Sequence, residues 1–77
     1  MNTFSEVIDA FKGRFAESLG IEDSHARTMK ARDSIPSTRW AATVSGAERM
    51  QVEGVTLELL ARLEADKAQA RVQESVQ

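Results

Sequence analysis

Apolar residues recur along this chain with helical spacing, and short breaks divide them into separate segments. Phe4, Val7, Ile8 and Phe11 fall at i, i+3, i+4 and i+7, which lines one side of an α-helix. Thr3 and Glu6 have the spacing of a capping box at its start. Gly13 permits a break, and a second helix is predicted from about Phe15 to Leu19, stopped by Gly20. A third is expected to begin near Asp23 or Ser24, either of which can cap it, and to end near Arg32. The Ile35-Pro36 pair disfavours helix at Ile35 and welcomes one after it. Trp40, Val44 and Ala47 then share one face of a fourth helix ending near Met50.

Residues Val52 to Val55 read as a connector because Gly54 is a poor helix residue. Thr56 can cap a fifth helix whose first turn carries Glu58, on the side that the helix dipole favours. Leu57, Leu59, Leu60 and Leu63 give that helix a broad apolar surface. Beyond it, residues 64–77 contain only Val72 and Val76 as sizeable apolar groups, so a helical or disordered tail is expected there. No β alternation and no internal repeat interrupts this pattern. The fold class expected is all-α: a compact bundle of about five short helices in residues 1–63.

The segment FAESLGIEDSHARTMKAR, residues 15–32, is the most specific part of the chain. Phe15, Ala16, Leu19, Ile21, Ala26 and Met29 stand where two short helices crossing steeply must touch. Ala16 is small where a close approach is expected. Gly20 can take the left-handed conformation that a helix-ending turn needs.

Composition narrows the function classes. In 77 residues only a modest apolar surface can be buried, and 42% hydrophobic with 29% charged residues is ordinary for one small globular domain. With no cysteine there is neither a disulfide framework nor a thiolate metal site, and His25 is the single histidine, so no metal or cofactor is expected. No apolar run approaches the roughly 18 residues that span a bilayer. The polar and acidic residues of MNTFSEVIDAFKGRF leave no apolar stretch for a signal peptide, so a cytoplasmic protein is expected. Nothing suggests a small-molecule ligand. No Ser/His/acid set, glycine-rich phosphate loop or metal-binding carboxylate–histidine spacing is present, so no enzyme activity is expected.

The net charge of −2 is unevenly spread. From Lys12 to Trp40, six basic residues face four acidic ones, which leaves +2; the rest of the chain has four basic against eight acidic, which leaves −4. A compact nucleic-acid-binding module needs one basic face rather than a basic whole.

The pattern FAESLGI…SHARTMKARDSIP…W, with GVTLELLARL further on, resembles the helix-turn-helix of the phage Cro and repressor superfamily. Within it the chain is similar to the small YdaS-type regulators of bacteria and prophages, over about residues 4–63. The resemblance implies a lambda-repressor-like bundle whose third helix, residues 24–32, lies in the major groove of double-stranded DNA. Asp23, Ser24, His25, Arg27 and Thr28 would then reach base edges, Arg27 foremost, since a guanidinium can donate two hydrogen bonds to guanine. Lys12, Arg14, Lys30, Arg32 and Arg39 would neutralise phosphates around the groove.

Glu22 and Asp23 depart from the family, which more often has Gln, Ser or Thr at the start of the recognition helix. A carboxylate there caps the helix or accepts from a cytosine amino group. Trp40 is expected to pack under the Ile35-Pro36 corner. One helix reads few base pairs, so a homodimer is expected. Leu57, Leu59, Leu60 and Leu63 form the candidate dimer face, and closure of the monomer core by the same four leucines is an equal alternative. A second reading is a protein-binding adaptor or anti-activator on the same scaffold that does not bind DNA, motivated by the net negative charge and by Glu22-Asp23.

Overall fold

The computed structural model describes residues 1–76, with side chains for residues 1–69. Among the described residues five α-helices follow in order: α1 (Phe4–Ala10), α2 (Phe15–Leu19), α3 (Asp23–Arg32), α4 (Trp40–Arg49) and α5 (Leu57–Val76). A 3₁₀ turn, Ser37–Arg39, leads into α4, and no strand occurs among the described residues. The all-α reading of the pattern therefore holds.

Each helix end has a local cause. Thr3 Oγ1 accepts the Glu6 amide at 3.1 Å and so caps α1. Glu6 reaches back to the Asn2 amide at 3.1 Å, one residue before the partner a capping box would give it. Lys12 and Gly13 both adopt positive φ, 54° and 84°, so the α1–α2 break is a two-residue reversal in which a lysine bears part of the strain. Gly20 ends α2 in the left-handed conformation (φ 69°). The Gly20 and Ile21 amides there donate to Glu17 and Ala16 carbonyls at 3.3 and 3.0 Å, the double bond of a Schellman turn. The same double bond recurs at Asp33 after α3 and at Gln51 after α4, both non-glycine residues at positive φ. Thr56 Oγ1 caps α5 through the Leu59 amide at 3.1 Å.

The start of α3 differs from expectation. Its N-cap is Glu22 in extended conformation, and no side chain makes a capping bond there. Neither Asp23 nor Ser24 caps the helix, because both already lie within its first turn. Asp23 is left to act through the dipole alone.

Phe4, Val7, Ile8 and Phe11 of the α1 stripe join Phe15, Ala16, Ala26, Met29, Ile35, Ala47, Val55, Leu60 and Leu63 in one core. Phe11 and Phe15 meet edge to face with centroids 5.1 Å apart, which clamps the α1–α2 reversal. Trp40 packs on this core and its indole Nε1 donates to the Ile35 carbonyl at 2.8 Å, so the corner before Pro36 is held by the tryptophan beneath it. Helix α2 packs on both α3 and α4, α1 packs on α3, and α4 packs on α5.

The leucines of α5 divide between the two alternatives open to them. Leu60 and Leu63 are fully buried in the monomer, 0% and 1% exposed, so they are removed from the candidate dimer face. The reason is that α5 closes the core with the face carrying these two residues. Leu59 packs partly against the core and Leu57 stays half exposed. The helix also continues without a break from Leu57 to Val76, past the point where the apolar signal fades. Its continuation rests on strong helix formers such as Glu64, Ala65, Lys67 and Ala68. Helix was one of the two alternatives for this tail, and Gln77 and the side chains of residues 70–77 lie outside those described.

Candidate nucleic-acid interface

Helix α3 buries Ala26 and Met29 and turns its other side outward. Asp23, Ser24, His25, Arg27 and Thr28 are all exposed, and they occupy the N-terminal half of the helix. Because α2 ends in the Gly20 turn, α3 departs within three residues and is carried on α2 through buried Phe15 and Ala16. Ile21, in the turn, packs partly against the same core.

Arg27 makes no ion pair among the described residues and lines a groove of about 310 Å³ between α3 and the α1–α2 turn, together with Asp9, Asp23 and Lys30. The Thr28 hydroxyl donates to the Ser24 carbonyl at 3.0 Å, within the helix. In that rotamer it can accept from a base but has no proton to give.

The basic residues expected around the groove are not equivalent. Lys12 is exposed on the reversal between α1 and α2, and Arg32 is exposed in the last turn of α3. Arg14 is paired with Glu17 at 3.0 Å, one turn along α2. Lys30 pairs with the Asp9 carboxylate of α1. Both pairs are more than half exposed, so each is weak and exchangeable for another anion. Arg39 is half buried at the entry to α4, where its carbonyl accepts the Thr43 hydroxyl at 2.8 Å. It belongs to the α4 junction rather than to the α3 surface.

The Asp9–Lys30 pair lay outside the reach of sequence reasoning, since the two residues are on different helices and no spacing links them. Gly46 escaped it as well, although a glycine inside a helix is itself a signal. It faces Ser18 of α2, and a Cβ there would overlap Ser18 Oγ and stand 3.1 Å from Ser18 Cβ. Arg49 then bonds the Ser18 carbonyl at 2.6 Å through Nη2. A close helix approach therefore also occurs between α2 and α4, at Ser18 and Gly46.

Among the described residues no group of three or more His, Cys, Asp or Glu side chains is placed to hold a metal ion. Among them no helix is long and apolar enough to cross a membrane. Comparison with protein-family models, with curated proteins and with solved structures finds no match to this chain.

Proposed function

We propose that this chain is a sequence-specific DNA-binding regulator of transcription, of the kind carried by bacteria and prophages, which lays α3 in the major groove. The observation that carries the reading is the exposed row Asp23, Ser24, His25, Arg27 and Thr28 on a helix carried by a tight glycine turn. Arg27 supplies bidentate donors, and Thr28 an acceptor. Lys12, Arg14, Lys30 and Arg32 hold the phosphates on either side, Arg14 releasing Glu17 and Lys30 releasing Asp9 as they do so. The molecule works as a homodimer, because one α3 covers too few base pairs for useful selectivity. Leu57 and Leu59 are what α5 offers to a second copy once Leu60 and Leu63 have closed the core.

Selection of bound sequences from a random duplex pool tests the reading. A recurring two-fold sequence with half-sites about one helical turn apart is the expected product. Recovery of unenriched DNA, or of none, would sink it.

A specific observation favours a second reading. Lys30 and Arg14 are neutralised within the molecule, and Glu22 and Asp23 stand exposed at the front of α3 with no capping bond to occupy them. These carboxylates repel phosphate, which suits a protein-binding adaptor that does not touch DNA. Retention on heparin with elution by modest salt supports DNA binding, and flow-through at low salt supports the adaptor.

A further inference from the structure

The C-terminal end of α3 is tied more elaborately than a helix end requires. Asp33 ends the helix in the left-handed conformation (φ 51°), where a non-glycine residue is uncommon. Its Oδ1 accepts the Ser5 amide at 2.8 Å, so the residue that closes α3 also satisfies a free amide in the first turn of α1. The Ser5 hydroxyl donates to the Lys30 carbonyl at 3.0 Å. From α5, Lys67 Nζ donates to the Asp33 carbonyl at 2.6 Å and stands 3.4 Å from the Arg32 carbonyl. Its ammonium also lies 5.8 Å from the centroid of the Phe4 ring. Two of the last carbonyls of α3, Lys30 and Arg32, and that of its cap Asp33 thus meet donors from two other helices, and the Lys67 charge sits at the negative end of the α3 dipole.

Lys67 lies one turn beyond Leu63, the last buried apolar residue among the described side chains of α5. It adds little to the core, yet it is half buried and aimed at α3. The proposed reading residues are at the opposite end of that helix. From Arg32 back to Asp23 the helix rises about 14 Å, so a tilt of about 10° at the tied end moves Asp23 by about 2 Å. Recognition geometry tolerates much less than that.

We propose that Lys67, acting with Asp33 and Ser5, is a positioning residue for DNA reading: it fixes the angle of α3 and couples α5 to the reading helix. This rests on the DNA-binding reading above. Lys67 itself touches no DNA, since its ammonium is engaged by the α3 carbonyls.

The experiment uses the full chain with Lys67→Met, which keeps the stem and removes the donors, and Lys67→Arg, which restores them. Affinity is measured for the selected sequence and for an unrelated duplex at several salt concentrations. Lys67→Met should weaken the selected sequence by about tenfold, leave the unrelated duplex nearly unchanged and keep the salt slope. Lys67→Arg should recover most of the loss. Equal loss on both duplexes, with a slope lower by about one, would make Lys67 a phosphate contact and overturn the proposal. Unchanged affinity for both by a folded variant would overturn it too.

A second arm needs no DNA. In Lys67→Met the α3 amide resonances should shift and the Ser5 amide should exchange faster; unmoved α3 amides would overturn the coupling. Wild-type protein that selects no sequence overturns the DNA role, and the amide shifts then still decide whether α5 sets the angle of α3. Should Lys67→Met fail to fold, Ser5→Ala removes one bond of the same tie and should give the same pattern in weaker form. No change in either arm from Ser5→Ala would overturn the proposal.

Discussion

Two single residues show how differently a position can matter in a chain this short. Arg27 is exposed and its side chain makes no hydrogen bond or ion pair among the described residues, so its replacement bears mainly on function. Arg27→Ala should leave the melting temperature almost unchanged and cost roughly 1–3 kcal/mol of specific binding, with relaxed preference at one base position. Binding titrations against single-base variants of the selected sequence check this, and an unaltered base preference would put the register of α3 in error. Gly46 is the converse case, buried and purely structural. Gly46→Ala makes Ser18 Oγ turn aside and leaves the new methyl 3.1 Å from Ser18 Cβ, so after the helix propensity that alanine gains the fold should still lose about 1 kcal/mol. Ser18 Oγ is buried and has no hydrogen-bond partner among the described residues, so removing it leaves none of them unsatisfied. Thermal unfolding should accordingly show Gly46→Ala partly rescued by Ser18→Gly, which clears both offending atoms.

At the level of elements, the ends of the helices say more than their interiors. A Cβ added to Gly20, at φ 69°, would meet no heavy atom within 4 Å, so space is not what demands glycine there. The backbone conformation is. Gly20→Val should therefore lose on the order of 1–3 kcal/mol through strain, while Gly20→Asn should lose much less, since Asn tolerates the left-handed region. Chemical denaturation of both variants separates strain from crowding: equal losses would point to crowding. The stop at Gly20 was legible in the sequence because glycine advertises its conformation. The ends of α3 and α4 were likewise expected, near Arg32 and Met50, but not the left-handed residues Asp33 and Gln51 that close them, because neither residue type demands that backbone as glycine does. Asp33 is fastened from elsewhere, by Ser5 and Lys67, which are 28 and 34 residues away along the chain.

For the whole molecule, the decisive question is how much of α5 the monomer consumes. Leu60 and Leu63 are in the core, and each contributes roughly 1.5–3 kcal/mol by burial. Leu60→Asp would also leave an unpaired carboxylate in the apolar core, so an unfolded product is expected. Leu57→Asp lies at a position 53% exposed and should fold. If Leu57 meets a second copy, the folded variant becomes a weaker dimer and loses far more DNA affinity than the contact itself supplies, because the second half-site goes with it. Circular dichroism with light scattering reads both variants. A folded Leu60→Asp would mean that α5 does not close the core.

The amphipathic spacing of Phe4 to Phe11, the leucines of α5, the caps at Thr3 and Thr56 and the turn at Gly20 were all determined by the sequence itself. Each is a local matter in which a residue meets neighbours within one or two turns, and local chemistry needs no knowledge of the rest of the fold. Tertiary structure alone decided which leucines are spent on the core, that Lys30 faces Asp9, that Gly46 admits Ser18, and that Lys67 and Ser5 close on the end of α3. Those pairs join residues of different helices, and their meeting depends on crossing angles that close packing of the whole core sets at once.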